Sequence, residues 1–206
     1  MVRKTKEEAN RTRQQIVDAA RAVFHQCGVS RTTQEKVAQA AGVTRGAVYW
    51  HFKDKAELFL AVREDAFVSL RERTDSTLDP DNYANPLDAI EAALRDFYRV
   101  LEECPILRQV FEIMVLRCEY VDEFAPVLAE VNRPAVEFLA KVETAYRRAA
   151  AKGFLRHGLT PTAAARDTWA FTTGLLHLLL ESEFRNELRE QISEMIAAHM
   201  ALRRAD

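Results

Sequence analysis

The chain has 206 residues, 48% of them hydrophobic and 29% charged, with only 6 Gly and 6 Pro; that suits one or two compact domains that are all-α. Its net charge of −2 hides a split: residues 1–55 hold eleven Lys and Arg against five Asp and Glu (+6), leaving eighteen against 26 (−8) for the rest. No apolar run of about 18 residues could cross a membrane, the basic start lacks the apolar stretch of a secretion signal, and Cys27, Cys104 and Cys118 are too scattered for a disulfide frame or a metal pair, so the expectation is a cytoplasmic protein with free thiols, no metal and no cofactor.

Residues 2–11 form a basic tail in which Arg3, Lys4, Lys6 and Arg11 flank Glu7 and Glu8. Such a tail is either a solvated extension or, beside a DNA-binding unit, an arm for phosphate or minor groove. Ile16, Ala19, Ala20, Val23 and Phe24 then recur at helical spacing, and Gly28 ends that helix. Thr32 with Glu35 reads as a capping box that opens a second helix carrying Val37, Ala38 and Ala41. Gly42 stops it in the left-handed conformation, and Thr44 caps a third helix of barely two turns, Arg45 to His51. Asp54 and Glu57 form another box, which opens a long helix to about Thr74. Helix, glycine-containing turn and short helix make a helix-turn-helix, whose second helix enters the DNA major groove.

The surface of the short helix sharpens that reading. Ala47, Val48 and Phe52 can face inward, but Arg45, Tyr49, Trp50 and His51 cannot all follow, because consecutive helical residues point in different directions. Gly46 costs about 1 kcal/mol against Ala, which suggests close approach by another backbone. Arg suits guanine, aromatic rings suit thymine methyls and sugars, and a phenol suits phosphate. Lys55, at the start of the next helix, is placed for a phosphate. The expected DNA-contacting set is Thr33, Thr44, Arg45, Gly46, Tyr49, Trp50, His51 and Lys55.

Thr44-Arg-Gly-Ala-Val-Tyr-Trp-His-Phe-Lys-Asp-Lys-Ala-Glu-Leu58 closely resembles the TetR family of bacterial one-component repressors. Gly28-Val-Ser-Arg-Thr-Thr33 and the opening Val2-Arg-Lys-Thr-Lys-Glu-Glu-Ala9 extend the likeness, the latter towards the AcrR/TtgR branch that controls multidrug efflux pumps. Arg117-Cys-Glu-Tyr-Val-Asp-Glu-Phe124 resembles that branch more weakly. The resemblance implies a helix-turn-helix DNA-binding domain over residues 1–54 and a ligand-binding and dimerisation domain over 55–206.

Beyond the long helix, residues 75–86 are the clearest breaker cluster and read as a loop. Ile90, Leu94, Phe97 and Leu101 stripe the next helix; Pro105 starts another, with Leu107, Val110, Phe111 and Met114 on one side. A helix from about Phe124 to Lys152 contains Pro134, which should kink it, and Gly153 caps it. Thr160-Pro-Thr opens a helix to Leu180, and the last runs from about Phe184 to Arg203, making about nine helices.

Leu175, Leu176, Leu178, Leu179 and Leu180 nearly encircle the end of one late helix, and Ile192, Met195, Ile196 and Met200 stripe the other. They make either an internal core or, preferably, a two-fold four-helix dimer interface, which the resemblance also implies. Phe67, Phe97, Phe111, Met114, Phe138 and Trp169 fall on inner stripes, with polar Thr172, Thr173 and His177 beside the Trp. Each aromatic alone reads as core; neighbouring hydroxyls in an apolar helix suggest a cavity for a hydrophobic or aromatic molecule. The resemblance implies an inducer site lined by Ala66, Phe67, Leu70, Ile90, Leu94, Phe97, Phe111, Met114, Phe138, Val142, Trp169, Thr172, Thr173, Leu176 and His177, for antibiotic- or flavonoid-like ligands.

Two other functional classes bear weighing. An enzyme finds little support: there is no His-x-x-x-His or Glu-x-x-His spacing, no Gly-rich phosphate loop and no Gly-x-Ser-x-Gly elbow. A DNA-binding scaffold without a ligand would need less than the whole of the second domain, although a regulator of some other pathway fits as well. The expectation is a homodimeric repressor on a double-stranded, palindromic DNA operator, released when a ligand displaces the helix starting at Asp54.

Overall fold

The structure, a computed structural model, describes residues 6–78, 82–181 and 185–205. Among the described residues it is all-helical apart from one isolated bridge between Leu155 and Arg204. The helices are α1 (Lys6–Cys27), α2 (Gln34–Ala41), α3 (Arg45–His51), α4 (Lys55–Thr77), α5 (Pro86–Glu103), α6 (Pro105–Leu116), α7 (Val127–Ala151), α8 (Pro161–Leu180) and α9 (Arg185–Ala201), with a 3-10 turn at Asp122–Phe124.

Local chemistry accounts for most of these boundaries. Gly28, Gly42 and Gly153 sit in the left-handed region with φ of 80, 64 and 76°, which only glycine adopts freely, so each helix stops there. Asn85 accepts the Leu87 amide and Thr160 accepts the Ala163 amide, and Pro86 and Pro161 follow at the first helical position, where a missing N–H costs nothing.

Several boundaries differ from the sequence reading. The cap of α2 is Thr33, whose hydroxyl accepts the Lys36 amide; Thr32 is buried and donates to the Gly28 carbonyl at 2.8 Å. The breaker cluster at 75–86 loses its first residues to α4, which continues to Thr77, and residues 79–81 lie outside the described residues. Phe124 closes the 3-10 turn, so α7 begins only at Val127, and it runs unbroken through Pro134. Phe184, expected to start the last helix, and Arg3 and Lys4 of the basic tail lie outside the described residues.

The chain divides into two compact units, Met1–Val68 with Ile106–Val131 and Ser69–Pro105 with Asn132–Asp206. Packing therefore divides the chain within α4 and groups α6 with the first three helices, whereas the sequence suggested a single cut after residue 54. The first unit is built on Ile16, Val17, Phe24, Val37, Val48, Phe52, Leu58 and Phe59. In the second, α9 packs on α5 and α8 around Ile90, Leu94, Tyr98 and Tyr146. Leu175, Leu179, Leu180, Ile192, Ile196 and Met200 are buried within this unit. They therefore belong to the subunit's own core, not to the dimer face expected of them.

Candidate nucleic-acid interface

The candidate reading head is α3, and its neighbours fix how it presents itself. Val48 and Phe52 are its inward anchors, both buried. Gln34 Nε2 donates to the Phe52 carbonyl at 3.2 Å, and Gln15 Nε2 donates to the Ala41 carbonyl at 2.7 Å. The Val43 amide bonds to the Ala38 carbonyl at 3.0 Å, closing the turn at Gly42. Thr44 Oγ1 accepts the Ala47 amide at 3.2 Å and starts α3; extended backbone at Phe52 ends it.

With that side fixed, the rest of α3 faces out. Tyr49 is 46% exposed and Trp50 73% exposed, and solvated aromatic area of this size gains free energy when covered. Arg45 lies over the Tyr49 ring at 5.2 Å and its Nη2 donates to the phenol oxygen at 3.3 Å. The two side chains are thus held together as one cationic unit. Half-buried His51 sits edge-on to Trp50, with ring centroids 4.5 Å apart. A Cβ on Gly46 would meet nothing closer than the Thr44 hydroxyl at 3.9 Å. Among the described residues no backbone outside its own helix comes within 4 Å, so the reason expected for this glycine is not found there.

Thr33 and Thr44 are exposed, and each hydroxyl caps a helix by accepting an amide. A capping hydroxyl keeps its own proton and can still donate it to a phosphate. Lys55 departs from the sequence reading. Its side chain is only 15% exposed, and its ammonium lies 3.0 Å from Glu123 Oε1, 3.5 Å from the Ser30 carbonyl and 5.4 Å from the Phe124 ring centroid. It is engaged inside the first unit, so a DNA phosphate at this position would have to displace the Glu123 carboxylate. No pattern in the sequence pointed to Glu123, because a loop carboxylate 68 positions away leaves no periodic signal.

The same unit ties α6 to α1: Arg21 donates to Gln109 at 3.2 Å, His25 meets Glu112 at 2.6 Å, and the Val29 amide bonds to the Arg117 carbonyl at 2.9 Å.

The residues expected to line a cavity fare unevenly. In the first unit Ala66, Phe67 and Phe111 are buried and Met114 half-buried, with the Phe67 and Phe111 rings 4.9 Å apart. In the second, Leu70, Ile90, Leu94, Val142 and Thr172 are buried, while Phe97, Phe138, Trp169 and Leu176 are half-buried. Phe138 and Trp169 are neighbours, with centroids 6.5 Å apart. Thr173 and His177 are exposed, and His177 Nε2 lies 3.0 Å from Glu181 Oε1. They cannot line an apolar interior. The physical reason is the helical rotation of about 100° per residue: burying Thr172 turns Thr173 out. The Thr172 hydroxyl donates to the Thr168 carbonyl at 2.8 Å, and its own carbonyl accepts from Tyr98 at 2.8 Å. A core position therefore does use that hydroxyl, contrary to the sequence argument. A groove of about 470 Å³ between α5 and α9 is lined instead by Arg95, Asp96, Arg99, Glu102 and Arg189, among others, and includes none of the expected residues. Its charges pair with one another or with neighbours, as in Arg189 to Glu102 at 2.8 Å. Among the described residues no cluster of His, Cys, Asp or Glu could hold a metal ion, and no helix is long and apolar enough to cross a membrane.

Comparison with known proteins accords with this geometry. Residues 16–62 match the model of the bacterial regulatory proteins of the tetR family. The chain is 33% identical over 176 residues to the transcriptional regulator TtgR of Pseudomonas putida, covering 85% of this chain and 83% of TtgR. Its structure is similar to that of NalD, the secondary repressor of the MexAB-OprM multidrug efflux pump in Pseudomonas aeruginosa (TM-score 0.84, 28% identity, 95% and 98% of the two chains). It is also similar to the triclosan complex of SmeT, the repressor of the Stenotrophomonas maltophilia efflux pump SmeDEF (TM-score 0.78, 36% identity, 95% and 92%). With its helix-turn-helix over the matched span and likeness over nearly the whole length, the chain belongs to the TetR family of transcriptional regulators, in the branch that includes TtgR and AcrR.

Proposed function

We propose that this regulator is a cytoplasmic homodimeric repressor of a multidrug efflux operon, released from a palindromic operator by a hydrophobic, aromatic molecule. The observation that carries the reading is the outward face of α3, where Arg45, Tyr49 and Trp50 stand exposed around a glycine with open space. Arg45 would bond a guanine edge, Tyr49 and Trp50 would pack on thymine methyls and sugars, and Thr33, Thr44 and His51 would contact the backbone. A seven-residue helix reads too few bases alone, so two copies would address half-sites roughly 34 to 36 Å apart.

The exposed stripe of α8 supports the dimer. Ala163, Arg166, Asp167, Ala170, Thr173, Gly174, His177 and Leu178 lie along it, small or apolar from Ala170 onwards apart from His177, and Ala197, Ala198, Ala201 and Leu202 are exposed near the end of α9. Small residues allow close helix packing, which a second copy would supply. Thr173 and His177 thereby move from the ligand site to the subunit face.

Residues 1–54 would form the DNA-binding domain and 55–206 the ligand-binding and dimerisation domain. The half-buried aromatics Phe97, Phe138 and Trp169 of the second unit suit an aromatic ligand, and triclosan, bound by the SmeT relative, is the natural first probe. The test is fluorescence anisotropy with DNA from the region upstream of the protein's own gene. Saturating triclosan is expected to weaken binding roughly 5- to 150-fold, the range of allosteric coupling. Tyr49→Ala and Arg45→Ala should each lose specific binding while remaining dimeric; a normal operator footprint from both variants sinks the reading.

A further inference from the structure

The turn after α6 carries a carboxylate whose placement DNA reading alone does not explain. Asp122 has φ of 47°, a left-handed conformation that residues other than glycine rarely take, and the Phe124 amide bonds to the Val121 carbonyl at 2.9 Å. Phe124 is buried edge-on against Phe59 of α4, with centroids 5.5 Å apart, so the turn is anchored on both sides of Glu123. Glu123 itself is 64% exposed and holds the Lys55 ammonium at 3.0 Å. Lys55 opens α4 four residues after His51 closes α3, so its ammonium belongs to the part of the fold nearest the reading head in sequence.

A carboxylate and a phosphate compete for the same ammonium hydrogens. We infer that Glu123 is a built-in competitor for DNA phosphate at Lys55, a positioning residue that withholds this cation until duplex displaces it. The inference rests on reading Lys55 as a phosphate contact. The Lys55 side chain is only 15% exposed but the Glu123 carboxylate is 64% exposed, so salt reaches the pair from the carboxylate side and a polyanion can take its place. The consequence is regulatory. Forming the Glu123–Lys55 pair lowers affinity for every duplex, and breaking it raises affinity, without touching Arg45, Tyr49 or Trp50.

The experiment is a double-mutant cycle on the full-length protein: wild type, Glu123→Gln, Lys55→Ala and the pair, each titrated with an operator duplex and an unrelated duplex across a salt series. Glu123→Gln, which keeps the side chain's shape, should bind both duplexes roughly two- to five-fold tighter, the scale of an exposed ion pair. Its plot of log affinity against log salt should keep nearly the wild-type slope, because Lys55 meets a phosphate in both complexes. The gain in affinity should vanish in the Lys55→Ala background. Unchanged or weaker binding by Glu123→Gln overturns the inference. So does a gain that survives intact without Lys55, since that reports only the loss of a negative charge. Failure of the operator reading looks different: wild type would then treat both duplexes alike, while the cycle stays legible on the unrelated one.

Discussion

Helices α3 and α8 pose the same problem and resolve it differently. Each carries a glycine with open space around it, Gly46 and Gly174, and each shows solvent side chains that a folded monomer has no use for. In α3 the exposed set, Tyr49 and Trp50, is the one its pattern demands, because only Val48 and Phe52 are apolar enough to anchor the short helix inward. In α8 the pattern offers too many anchors: Leu175, Leu176, Leu178 and Leu179 cover several sides, and burial of Leu175, Leu179 and Thr172 leaves Thr173, His177 and Leu178 outside. Amphipathicity orients a helix only when one side is clearly poorer in apolar area than the other.

A glycine in an open helical position costs about 1 kcal/mol against Ala, so both sites invite the same test with different readouts. Gly46→Leu should leave the fold intact and reduce operator affinity by roughly 1 to 3 kcal/mol per half-site, the worth of a good base contact, as measured by anisotropy. Gly174→Leu should fold equally well but sediment as a monomer. A variant that still dimerises would break the parallel between the two helices, leaving α8 without an external partner.

The buried side of α8 gives the next largest effect. Thr168 Oγ1 bonds Tyr146 at 2.7 Å and His199 Nε2 at 3.0 Å, and the His199 ring stacks on Phe171 at 4.1 Å. Burial pushes the His199 pKa down to about 4 from 6.5. Between those values the unfolded chain binds a proton that the folded chain does not, so stability falls as pH drops through this window and is flat for this group above it. The slope should approach roughly 1.4 kcal/mol per pH unit, measured by urea unfolding from pH 7.5 to 4.5. His199→Gln should remove that component of the slope, and an identical slope in the variant would place the titration elsewhere.

The smallest effect separates two adjacent threonines. Thr172→Val loses a buried hydroxyl bond and should lower stability by about 1 kcal/mol. Thr173→Val should change it by less than about 0.5 kcal/mol. Equal urea midpoints would undo the division of α8 into inner and outer faces.

Much of the reading head was legible because its determinants are close in sequence. Glu57 donates its amide to Asp54 Oδ1 at 2.8 Å and accepts the Lys53 amide at 2.7 Å, a capping pair visible from spacing alone. Gly42 and Thr44 likewise announce a turn and a cap. Thr32 and Thr33 mark the limit: either could cap α2, and the deciding fact is that Thr32 is buried and bonded to Gly28. Lys55 was legible as a cation near a helix start, but not as the partner of Glu123.

By itself the sequence determined the helices, the helix-turn-helix and the outward aromatic face of α3, since caps, left-handed glycines and a single apolar stripe act over three or four residues. Only the tertiary structure decided that Thr173 and His177 face out, that Leu175, Leu179 and Leu180 close the subunit's own core, and that Lys55 is held by a distant carboxylate. Those outcomes depend on which surfaces compete for burial and charge across the fold, and that competition leaves no periodic trace in the chain.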